Sequence, residues 1–166
     1  SHADGIFRKF LQMLVFDAWI GNNDRHFYNW GVVEHISGQH PPYFSPIYDT
    51  ARGLYWNASE KKVNAMASNT RGMGQSFAAY VNKSSPRISC EGYAPGNHFD
   101  LLVQIMREVK DVGNIADLID VDRIANSAKF FSQSFSKLFS NQRLSLMKMI
   151  LEKRTERFLQ IIQDIN

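Results

Sequence analysis

The sequence predicts a mainly helical domain that carries one small β-hairpin. Two observations support this: long stretches with apolar residues at three- and four-residue spacing, and one pair of short strand-like runs flanking a turn-rich segment. With 166 residues, 44% of them hydrophobic, residues 1–166 suit a single domain with its own core.

The first helix is read from Phe7, Phe10, Leu11, Leu14, Val15, Ala18 and Trp19, which share one face. Phe16 and Ile20 occupy its other faces, so burial nearly all round is expected. Gly21-Asn22-Asn23-Asp24 then stops it, because Gly and Asn readily adopt turn conformations. Residues 30–35 and 43–48 read as strands, and Ile36-Ser37-Gly38-Gln39-His40-Pro41-Pro42 as the turn between them. Pairing about that turn sets Trp30 opposite Tyr48 and Asn29 opposite Asp49, with Cβ atoms about 4.5–5.5 Å apart.

A short helix is expected around Ser59-Glu60-Lys61-Lys62. Residues 67–97, rich in Ser, Asn, Gly and Pro, read as an irregular stretch, either a substrate-facing segment or a connecting loop with a short helix, in which Gly72-Met73-Gly74 is a flexible turn. A helix over 99–109 follows from Leu101, Leu102, Ile105, Met106 and Val109, starting near Asn97 or His98. Residues 122–139 form one broken helix or two. Asn141 is the expected N-cap of the last helix, whose apolar stripe runs Leu144, Met147, Ile150, Leu151, Phe158, Ile161 and Ile162.

Composition narrows the function classes. A net charge of +3 suits an anionic ligand such as ATP but is too small to argue for nucleic acid. Cys90 is the only cysteine, which rules out an internal disulfide and fits a reducing, cytoplasmic location. No apolar run reaches membrane-spanning length and no signal peptide is visible. The histidines lack zinc-ligand spacing, and no Gly-x-Ser-x-Gly elbow is present.

The chemistry-bearing set is Asp24 and Asn29 on the loop after the first helix, with Asp49 beyond the hairpin. Phosphoryl transfer from ATP needs one carboxylate to orient the attacking hydroxyl, plus an Asn and an Asp to hold Mg²⁺ on the phosphates. Asp17 and Asn22 repeat the spacing, but Asp17 lies within the helical run and is set aside. Other readings stay open. Asp24 and Asp49 could be turn residues, and Arg25 and His26 could be paired with nearby acids. Arg71, Lys83 and Arg87 could contact phosphate or a protein substrate, or simply be solvated.

The strings Ile20-Gly21-Asn22-Asn23-Asp24-Arg25-His26-x-x-Asn29-Trp30-Gly31 and Pro46-Ile47-Tyr48-Asp49-Thr50 resemble the HipA-like serine/threonine kinases. These are bacterial toxin kinases and their relatives, with a fold similar to the phosphatidylinositol 3/4-kinase lobe. The resemblance is confined to residues 20–50. It implies a protein-kinase-like C-terminal lobe, ATP and Mg²⁺ as cofactors, a protein substrate and an antitoxin-type regulatory partner. Asp24 would be the catalytic base, Asn29 and Asp49 the Mg²⁺ ligands, and His26 a support for the catalytic loop. Only 23 residues precede Asp24, too few for a nucleotide-gripping N-lobe, and the chain begins Ser-His-Ala. The expectation is therefore the C-terminal lobe of a longer kinase, nearly inactive alone. A non-catalytic kinase-fold module that binds a partner protein, and a lobe acting on a lipid or small molecule, are the alternatives.

Overall fold

The computed structural model describes residues 1–68, 70–109 and 121–165. Helix α1 (His2–Ile20) is buried all round only in its second half, where Leu11, Met13, Leu14, Val15, Asp17, Ala18 and Ile20 are enclosed. It ends as expected at Gly21, whose φ of 69° lies in the left-handed region. The Gly21 and Asn22 N–H groups both donate to Asp17 O. A Cβ at Gly21 would stand 2.9 Å from the Tyr80 ring, so glycine is required there twice over.

The hairpin is shorter than expected and differently registered. Strands β1 (Val32–Val33) and β2 (Tyr43–Phe44) pair antiparallel, with Val32 facing Phe44 and Val33 facing Tyr43. Ser45 N–H donating to Gly31 O at 2.9 Å extends the same register. The expected pairing would have put Pro46 opposite Val32, so the true register is shifted by two residues and Asn29 does not face Asp49 across a ladder. A shift of two keeps every side chain on its expected face. Pro46 has no N–H to give, and the ladder ends before it. On the inner face Trp30 stacks on Phe44, ring centroids 6.1 Å apart, and meets Phe10 of α1 at 4.7 Å.

Helix α2 (Glu60–Ser68) forms where a short helix was expected. Helix α3 (Thr70–Lys83) corrects the reading of 67–97 as irregular and of Gly72-Met73-Gly74 as a turn. Tertiary packing overrides glycine's poor propensity here: Phe77 and Tyr80 pack on a cluster built from Ala58, Val63, Met66, Leu146 and Ile150. The Arg71 side chain lies outside the described residues. Helix α4 (His98–Glu108) is capped by Asn97, whose Oδ1 accepts from Phe99 and Asp100 N–H. Helices α5 (Val121–Ser134) and α6 (Asn141–Ile165) complete the described chain. The cap of α6 is Ser140 rather than Asn141, since Ser140 Oγ accepts from Arg143 N–H at 3.2 Å. No described helix is long and apolar enough to cross a membrane.

The main core joins α1, α4 and α6 through Leu11, Leu14, Ala18, Leu102, Phe99 and Phe158. Arg154 of α6 sits inside it, fully buried, and no carboxylate pairs with it among the described residues. Its charge is met by carbonyls near the C-terminal ends of two helices: Ala18 O of α1, and Tyr80 O (3.0 Å) and Val81 O (2.6 Å) of α3. Those oxygens lie in final helical turns, where carbonyls lack intrahelical donors and carry the negative end of the helix dipole. Ser84 Oγ at 2.8 Å and the Phe99 ring face complete the cage. Burial lowers the Arg154 pKa to about 10, leaving it charged at neutral pH. Arg154→Met keeps the apolar volume but strands these acceptors. We expect a loss on the order of 3 kcal/mol, read as a lower urea midpoint.

Candidate functional site

The loop after α1 is organised by an ion pair with both partners fully buried. Arg25 meets Asp17 in a two-pronged bond, Nε to Oδ2 at 2.6 Å and Nη2 to Oδ1 at 2.9 Å, and Asn22 Nδ2 adds a third donor at 2.9 Å. Asp17, set aside on sequence grounds, is therefore the anchor of the loop. A carboxylate inside an apolar helix needs a cation, and Arg25 supplies it. Arg25 Nη1 then donates to the carbonyls of both Asn29 and Tyr48, the latter at 2.8 Å. Tyr48 Oη returns a bond to Tyr28 O at 2.8 Å. One side chain thus ties the Asp24–Asn29 loop to the Tyr48-Asp49 segment, the approach that strand pairing was expected to provide.

Two further groups hold the loop from behind. Tyr80 Oη lies 3.0 Å from both Ile20 O and Gly21 O, and burial raises its pKa to about 12. The buried His98 ring has Nε2 2.7 Å from Asn22 O and Nδ1 2.7 Å from Ser84 O. Burial, with the Arg154 guanidinium 3.3 Å from Nδ1, lowers its pKa to about 4. At pH 7 the ring is neutral and donates to one of the two carbonyls.

The four expected site residues differ in their surroundings. The Asp24 side chain is 20% exposed and meets two arginines, Arg87 Nη1 at 3.0 Å from Oδ1 and Arg52 Nε at 3.4 Å from Oδ2. The Arg87 contact has ion-pair distance without hydrogen-bond geometry, so the buried Oδ1 is charge-compensated yet lacks a hydrogen-bond donor. Asn29 is buried, and its Nδ2 donates to Asp24 O at 3.0 Å, while its Oδ1 accepts no hydrogen bond from the described residues. Asp49 is exposed, has φ of 52°, and its carboxylate has no partner among the described residues. Asp tolerates that left-handed backbone better than most residues, so turn geometry favours it there. His26 accepts Tyr28 N–H on Nδ1 at 3.3 Å and heads the 3-10 turn Phe27–Asn29. Its carbonyl accepts from Asn29 N–H at 2.9 Å, and among the described residues its ring makes no hydrogen bond to Asp24, Asn29 or Asp49.

The Asn29 amide oxygen and the Asp49 carboxylate are hard oxygen donors of the kind Mg²⁺ takes alongside phosphate oxygens and water. By donor chemistry they fit the ion. Among the described residues no three His, Cys, Asp or Glu side chains converge as a metal set. A groove of about 670 Å³ runs between the first turns of α1 and residues 42–47. None of the four residues lines it, and it holds no carboxylate.

Two expectations follow from the anchors. Below pH 6.5 the unfolded chain protonates His98, while the folded ring stays neutral down to about pH 4. The stability tied to this ring is complete above pH 6.5 and is lost as pH falls towards 4, by up to about 3 kcal/mol. Urea midpoints at pH 7.5 and 4.5 should differ less in His98→Gln than in the parent sequence. Asp17→Ala leaves Arg25 buried without its counter-charge, and should cost about 3–5 kcal/mol in the same measurement.

No protein-family model, no curated protein and no solved structure matches this chain, which leaves its function to be argued from the geometry of the loop.

Proposed function

We propose that the chain is the C-terminal catalytic lobe of an ATP- and Mg²⁺-dependent serine/threonine protein kinase of the HipA-like kind. The observation that carries this reading is Arg25 donating from one nitrogen to the carbonyls of Asn29 and Tyr48. It gathers a partly enclosed carboxylate, an amide oxygen and an exposed carboxylate around one loop, the set that phosphoryl transfer uses.

In this reading Asp24 accepts a hydrogen bond from the substrate hydroxyl and aims its oxygen at the terminal phosphorus. The new O–P bond forms as the bond from phosphorus to the β,γ-bridging oxygen breaks. ADP leaves with that electron pair, and the hydroxyl proton passes to Asp24 and then to water. Asn29 Oδ1 and the Asp49 carboxylate would hold Mg²⁺, which when bound supplies charge neutralisation for the phosphates. Arg25, Asp17 and His98 keep the loop in place and touch no reactant. The nucleotide's other contacts belong to an N-lobe supplied by a longer protein.

A second reading, a non-catalytic kinase-fold module that binds a partner protein, is favoured by one observation. The Asp24 carboxylate is already compensated by two arginines.

The test is Mg²⁺-dependent ATP turnover and autophosphorylation by the full-length kinase that contains this lobe. Asp24→Asn and Asp49→Asn, which keep side-chain shape and tolerance of the left-handed backbone, should each lower the rate about a hundredfold or more. The 166-residue chain alone should be silent. Undiminished transfer in both variants, or none in the full-length protein, rejects the kinase reading in favour of the binding module.

A further inference from the structure

Asp24 is approached by two guanidinium groups from different parts of the chain. Arg52 lies three residues after Asp49, in a turn closed by Gly53 N–H donating to Thr50 O at 3.2 Å and fastened by Leu54 N–H donating to Ile20 O at 2.9 Å. Arg87 is fixed from the other side, its own N–H donating to Arg25 O at 2.9 Å. Both backbones are therefore pinned to the end of α1 or to the loop that follows it.

Each arginine brings one nitrogen to the carboxylate, and neither makes a further side-chain hydrogen bond among the described residues. The Arg52 and Arg87 side chains are 51% and 61% exposed, so donors remain open to solvent beside the more enclosed Asp24. Two guanidinium charges thus face the single Asp24 carboxylate, one more than it can neutralise. A guanidinium carries five donors in a planar fork that matches phosphate oxygens. Convergence of two forks on one carboxylate holds them ready to share a single tetrahedral anion. Lys83, another exposed base after the hairpin, makes no comparable contact.

We propose that Arg52 and Arg87 form a binding site for a terminal phosphate dianion in front of Asp24. Identifying that phosphate as the group being transferred rests on the kinase reading; the anion site itself does not. The same chemistry is offered by a nucleoside triphosphate tail and by a phosphorylated serine product.

The experiment titrates inorganic tripolyphosphate and O-phosphoserine separately into the 166-residue chain by calorimetry at pH 7.5 and fixed ionic strength. Arg52→Gln, Arg87→Gln and the double variant run beside it, with urea midpoints to confirm that the folds match. At least one ligand should bind. Each single variant should lose about tenfold in affinity, and the double variant should lose binding. Tighter tripolyphosphate binding identifies the nucleotide tail as the source, and tighter phosphoserine binding the product. Absence of binding, or equal affinity in the parent chain and the double variant, overturns the proposal. A chain that binds through these arginines while the full-length protein never transfers phosphate keeps the anion site and loses only the kinase reaction.

Discussion

The bond between Arg25 and Asp17 is the constraint on which the rest of the loop depends. Both side chains are fully enclosed, so both have given up hydration worth several kcal/mol each. That cost is offset only because every strong hydrogen-bonding group of the pair has a partner: Asp17 takes Arg25 and Asn22, and Arg25 takes Asp17 and two carbonyls. A pair of well-packed apolar residues could match its contribution to stability. Such a pair could not join the backbone at Asn29 to the backbone at Tyr48.

Arginine reading carbonyls recurs twice more, both times from α6. Arg154 reaches back to the ends of α1 and α3 and to Ser84, three residues before Arg87. Arg143 pairs with Glu60 and holds the carbonyls of Tyr55 and Ala58, steadying the segment that begins with Arg52. The two arms that deliver guanidinium groups to Asp24 are thus both fastened to one helix. That helix is itself packed through Leu146, Ile150 and Phe158 into the cores on either side. Rigid support at a distance lets two exposed side chains meet one carboxylate.

What the sequence disclosed followed from periodicity. The apolar stripes of α1, α4 and α6, the stop at Gly21 and the existence of a hairpin were all legible, because each depends on neighbours within a few residues. The register was not, since it turns on where Pro46 interrupts hydrogen bonding. Helix α3 was hidden because its glycines argue locally for a turn, while its burial of Phe77 and Tyr80 against α2 and α6 is decided at long range. Asp24, Asn29 and Asp49 are singled out as candidates by residue type and spacing alone. Asp17 and Arg154 carry a local signal: each falls on the apolar spacing of its helix, three residues after Leu14 and Leu151. A charge at a core position requires a partner elsewhere in the chain. Arg52 carried no such signal, because nothing local distinguishes an arginine that turns towards Asp24 from one that is solvated.

The register also changes what determines the separation of Asn29 and Asp49. On a β-ladder it would be fixed by backbone geometry and insensitive to side chains. Here the two segments are tied by side chains: Tyr48 Oη bonds Tyr28 O, and one guanidinium spends Nε and Nη2 on Asp17 and Nη1 on the carbonyls of Asn29 and Tyr48. A lysine ammonium offers three donors radiating from one point and could reach the carboxylate or the carbonyls, but not both ends at once. The residue after Asp24 is therefore fixed as arginine by the geometry of a planar fork. Its role is structural even though it sits beside the residue placed at the chemistry. The same reasoning separates it from Arg52 and Arg87: all the nitrogens of Arg25 are occupied within the protein, while theirs are open to a ligand.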